Sequence, residues 1–187
     1  MILKKLNAVL GLLSILFLLM HAGYSIFSYF TFYYNPFLQK LFSIPVMIAV
    51  CLHAVLGMLI VFTRPDGTEM TLYKKLNMRI VLQRVSAALI FPLLIIHINT
   101  FSWMNALKAS GLKLVMIILI LAEILFFAVV ITHVSVSFTN AFITLGLLSL
   151  RETQKKIDRV VYVIGAVLFV TAVFVIVKGQ ITMFFMG

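Results

Sequence analysis

Four residues carry most of the chemistry available to this chain: His21, His53, His97 and His133. Each falls in a different apolar stretch, and no histidine lies in the polar segments between them. Neutral imidazole is a good ligand for iron and other transition metals. One imidazole on each of four consecutive apolar elements is the pattern that two bis-histidine sites require. A flat iron porphyrin suits it, because the macrocycle fits between helices and takes one axial ligand from each side. The competing reading is four separately hydrogen-bonded structural histidines, which is ordinary for one buried imidazole but leaves the regular distribution unexplained.

The elements that must position these side chains follow from composition. Of 187 residues, 64% are hydrophobic and 11% charged, more apolar surface than a soluble domain of this size can hide. A helix crossing a bilayer needs about 20 mostly apolar residues. Five runs qualify: Leu6–Phe30, Pro45–Thr63, Ile80–Phe101, Leu112–Thr139 and Val160–Val177. They are too long and too uniform for barrel strands, which alternate apolar and polar. The expected fold is therefore an all-α integral membrane protein, a single transmembrane domain over residues 1–187 with five helices bundled around two b-type haems. The first run follows Lys4 and Lys5 and has the look of a secretory signal, but it is too long and lacks a clean small-residue cleavage site.

Lysine and arginine in short loops set orientation. Lys4 and Lys5, then Arg64, Lys74, Lys75 and Arg79, then Arg151, Lys155, Lys156 and Arg159 fall on one side. Lys40, Lys108, Lys113 and Lys178 fall on the other. The excess predicts a multi-pass protein of the cell membrane, with the N-terminus cytoplasmic and the C-terminus outside. Loop charge accounts for most of the net +10, so no nucleic-acid partner is implied. Cys51, the single cysteine, lies inside the second run and can form no internal disulfide.

Helical periodicity groups the polar residues. Asn7, Ser14, His21, Ser25 and Ser28 line one face of the first helix. Arg79, Ser86 and His97 share a face of the third, with Gln83 close by. His133, Ser137, Asn140 and Thr144 share a face of the fourth. Ala49 and Gly57 flank His53, and such small residues admit either a bulky planar group or a neighbouring helix. Depth suggests the pairing. At 1.5 Å per residue, His21 lies about 24 Å past Lys5 and His97 about 27 Å past Arg79, both toward the outer face. His53 lies about 16 Å before Arg64, and His133 about 30 Å past Lys113, both toward the inner face. The expected pairs are His21 with His97 and His53 with His133.

Three stretches carry a family resemblance: His53-Ala-Val-Leu-Gly57; Arg84-Val-Ser86 followed by His97; and His133-Val-Ser-Val-Ser-Phe-Thr-Asn140-Ala-Phe142-Ile-Thr144-Leu145-Gly146. A weaker likeness surrounds His21, Gly23 and Tyr34-Asn35. In this order they resemble the di-haem cytochrome b membrane anchor of succinate:quinone oxidoreductases and fumarate reductases, in its single-chain, five-helix form. Ala87 departs from the family's usual glycine after Arg-x-Ser/Thr, and Val136-Ser137 stands where a further His-Gly pair is common. The resemblance implies two haem b groups on the four histidines, and quinone as diffusible substrate. It also implies flavoprotein and iron–sulfur subunits docked on the cytoplasmic face. Dicarboxylate chemistry would belong to the flavoprotein.

Further residues qualify as cofactor contacts. Arg79 and Arg84 open the third helix, where a guanidinium can pair with a haem propionate or simply fix topology. Ser86 joins them from the His97 face. Lys74 and Lys75 are expected in solvent or against the docked subunit. Glu123 is the one acid inside a span; it is expected to bond a neighbouring helix, with proton relay to a quinone as the alternative. Trp103 is expected as an interfacial anchor just outside the third helix. Two other functions fit less well. A cytochrome b subunit of a different quinone-linked oxidoreductase often carries two ligands on one helix. A small transporter with buried histidines should show an inverted repeat or paired broken spans, and Pro92 has no counterpart.

Overall fold

The computed structural model of the protein describes residues 2–63 and 74–186, with side chains from 78 onward in the second segment. It is built from five long helices: α1 (Ile2–Thr31), α2 (Pro36–Thr63), α3 (Lys74–Ser110), α4 (Lys113–Leu145) and α5 (Arg151–Ile181). A π-helical turn, Thr182–Met186, closes the described chain. All five helices are long and apolar enough to cross a membrane. Large apolar side chains such as Leu16, Ile48, Leu121 and Val170 are more than half exposed, which in water would be untenable over so many turns. In hydrocarbon that surface needs no cover, and each helix satisfies its own backbone.

The helices outrun their apolar cores. The 37 residues of α3 extend about 55 Å, against a hydrocarbon thickness of about 30 Å. Trp103, expected just beyond the third helix, consequently lies within α3. The second helix begins at Pro36 rather than Pro45, so Pro45 lies inside α2 as Pro92 lies inside α3, and Pro92 does have a counterpart. Asn35 Oδ1 accepts from the backbone N–H groups of Phe37 (2.9 Å) and Leu38 (3.2 Å), and Pro36 needs no N–H at the first helical position. Tyr24 clamps this turn to α1: its hydroxyl donates to Asn35 O and accepts from Asn35 N–H. At the other end of the bundle, α4 stops at Gly146, whose φ of 80° suits a residue without Cβ. There Gly146 N–H and Leu147 N–H bond the carbonyls of Ile143 and Phe142, capping the helix in a Schellman arrangement.

The closely packed pairs are α1 with α2, α1 with α4, α3 with α4, and α5 against both α4 and α1. The first four helices thus run α2, α1, α4, α3 around the bundle, which makes α1/α3 and α2/α4 its diagonals. Burial concentrates on α4, where Met116, Leu119, Ile120, Phe126 and Val129 pack toward α3 and the π-helical turn. Gly179 sets the approach of α5 to α1, since a Cβ there would sit 2.5 Å from the Tyr29 ring. Gly179→Ala should therefore push Tyr29 aside and destabilise the α1–α5 contact by about 1–3 kcal/mol, the usual cost of overpacking. Thermal unfolding of the purified variant in detergent checks this; an unchanged melting temperature would contradict the packing.

Candidate cofactor-binding site

The diagonals bring the histidines together. The rings of His21 on α1 and His97 on α3 lie with centroids 6.4 Å apart and planes perpendicular, at 90°. The rings of His53 on α2 and His133 on α4 have the same 6.4 Å separation and an angle of 66°. A metal–imidazole bond is about 2 Å and a ring nitrogen lies about 1.2 Å from its centroid, so two imidazoles opposed across one ion have centroids about 6.4 Å apart. Both pairs have the spacing of opposed axial ligands.

Hydrogen bonding fixes which nitrogen is presented. His53 Nδ1–H donates to Asn7 O (3.1 Å), from α1. His133 Nδ1–H donates to Gln83 O (3.1 Å) and lies 3.1 Å from Ser86 Oγ. A backbone carbonyl only accepts, so in both rings the proton sits on Nδ1 and the Nε2 lone pair stays available. Ser86 hands its own proton to Leu82 O (2.6 Å) and so meets the imidazole as an acceptor. His97 Nδ1 is 2.8 Å from Glu123 Oε2. Its ring also stacks on Phe126 (centroids 4.7 Å, 22°) and meets the edge of Phe127. His21 Nδ1 is buried with no hydrogen-bond partner among the described residues. Anchored outer nitrogens of this kind are what orient histidine ligands in metal sites.

Small residues admit the rings. A Cβ on Gly11 of α1 would lie 3.1 Å from His53 Cε1, so the glycine lets α1 press against the imidazole face. Ala49, one turn before His53, is buried, and Gly57, one turn after, faces Asn7 across α1 and α2. Among the described residues, no three His, Cys, Asp or Glu side chains gather at one point. Each diagonal brings two imidazoles together.

The sequence-predicted polar contacts divide. Ser86 belongs to the His133 environment. Arg79 is engaged by the protein itself. It grips Asp158 of α5 with Nη1 (2.9 Å) and Nη2 (3.0 Å), donates through Nε to Val136 O (2.7 Å), and contacts the Thr139 hydroxyl. Thr139 in turn donates to Asp158 (2.6 Å). Arg84 is an exposed side chain on α3. Arg64 and the side chains of Lys74 and Lys75 lie outside the described residues. Two partners were not evident from spacing: Asp158, hidden in a polar run between the last two spans, and Gly11, one more small residue in an apolar helix. Glu123 was conspicuous as the lone acid in a span, but its contact with His97 depends on the relative rotation of α3 and α4.

Comparison of the chain with protein-family models, with curated proteins and with solved structures gives no match.

The Arg79–Asp158 pair joins three helices at the end of the bundle nearest His53 and His133, and both side chains are only 16% exposed. Replacing one member leaves the other charge poorly compensated. Asp158→Ala should cost about 3–5 kcal/mol. Denaturation in mild detergent should show it, and a loss below about 1 kcal/mol would mean the pair is solvated.

Proposed function

We propose that this chain is a haem-binding membrane anchor that carries electrons between a cytoplasmic iron–sulfur partner and membrane quinone. The observation that carries this reading is the pair of histidine couples, each at 6.4 Å across a helix diagonal. His21 and His97 would hold one haem b, and His53 and His133 the other. Bound haem supplies a one-electron carrier. The chain's own contribution would be to bring the paired imidazoles within reach of one iron and to orient three of the rings through Nδ1.

The surrounding residues suit that task. Asn7, Gln83 and Ser86 hold the inner pair by neutral acceptors. Phe126 and Phe127 pack apolar rings against His97 of the outer pair. The lysine and arginine bias orients the N-terminus and the α4–α5 connection to the cytoplasm, which puts the His53/His133 pair on the side of an arriving electron donor. The narrower assignment, to the anchor of a succinate:quinone oxidoreductase or fumarate reductase, rests on the ordered stretches around His53, Arg84-Val-Ser86 and His133. On it, a flavoprotein partner performs the dicarboxylate chemistry.

The reading predicts close to two b-type haems per chain, low-spin and six-coordinate. Pyridine haemochrome analysis of protein expressed with ample haem measures the stoichiometry, and the visible spectrum reports the spin state. A haem content near zero contradicts the reading.

A further inference from the structure

Glu123 treats one histidine differently from the rest. Its side chain is 3% exposed, and Oε2 lies 2.8 Å from His97 Nδ1. Phe126, three residues along the same face of α4, stacks on the same ring. Thus α4 grips the His97 imidazole twice, once by a ring face and once by a carboxyl oxygen. His53 and His133 meet only backbone carbonyls and a serine hydroxyl at the equivalent nitrogen. A carboxylate is the stronger acceptor. Drawing the Nδ1–H toward Glu123 raises electron density at Nε2 and makes His97 the more basic ligand. A more basic axial ligand favours ferric over ferrous iron.

We infer that Glu123 is a positioning residue for His97 that selectively lowers the reduction potential of the outer haem. The inference rests on the haem-binding reading above. It differs from a purely structural role for Glu123, in which the carboxyl merely ties α4 to α3. Such a tie would affect stability and leave the potentials alone.

The test is Glu123→Gln in the full chain in membranes, with haem content and redox titration measured together. The amide keeps the shape of the side chain and an oxygen acceptor, but a weaker one than the carboxyl. Two haems should remain. The equilibrium constant for reducing the outer haem should rise by about tenfold, which is 59 mV for a one-electron couple. The inner haem should titrate as in the wild type. An outer midpoint that does not move, or an equal shift of both haems, overturns the inference and leaves the haem reading intact. Absence of haem from the wild-type protein overturns both. Should the variant fail to assemble, redox-difference infrared spectra of wild-type protein with isotope-labelled glutamate decide. Glutamate carboxyl bands changing at the outer-haem potential support the inference, and a spectrum silent there overturns it.

Discussion

An imidazole inside an apolar bundle gains from hydrogen-bond partners within the protein, because hydrocarbon offers none. Three of the four rings have such a partner, and His21 Nδ1 is buried without one among the described residues. Asn7 supplies a carbonyl from α1 to His53, Gln83 supplies one from α3 to His133, and Glu123 supplies a carboxyl oxygen from α4 to His97. Each bond crosses between helices, so satisfying a ring also fixes the rotation of two helices about their axes. The apolar side chains cannot do this alone. Leucine packs against lipid as readily as against another leucine, so burial gives these helices little reason to choose one face.

The two diagonals are a consequence. With α1 and α4 packed centrally and α2 and α3 flanking them, the histidines of α1 and α3, and of α2 and α4, are those that can meet across the bundle. Glycine and alanine on the inward faces keep the backbones out of the way, most directly where Gly11 abuts the His53 ring. At the end nearest His53 and His133, Arg79 and Asp158 lock α3, α4 and α5 together by a bidentate pair. The proposed function uses this rigidity, since axial ligation demands that opposed nitrogens be held to within fractions of an ångström.

How much of this was legible in the sequence depends on the kind of information each feature needs. The five spans are a matter of local composition, and the chain announces them. The juxtaposition of His21 with His97 and of His53 with His133 is legible through axial position, because helical rise converts residue number into depth. The start of α2 at Pro36 was also encoded, by the Asn35-Pro36 cap, but the apolar run beginning at Pro45 is the louder signal. Contacts that depend on helix rotation were not legible. Glu123 and His97 are 26 residues apart on neighbouring helices, and Arg79 and Asp158 are 79 apart. Periodicity places each on a face of its own helix without saying which neighbour that face meets.

Under the proposed function, each histidine couple is one site that should fail as a unit. Redox titration of the four single His→Ala variants in membranes tests it most directly. Under the proposed haem ligation, losing one imidazole would strand its partner, so His53→Ala and His133→Ala should remove the same spectral component. His21→Ala and His97→Ala should remove the other. Loss of one component by His53→Ala and His97→Ala, with His133→Ala sparing it, would contradict the account.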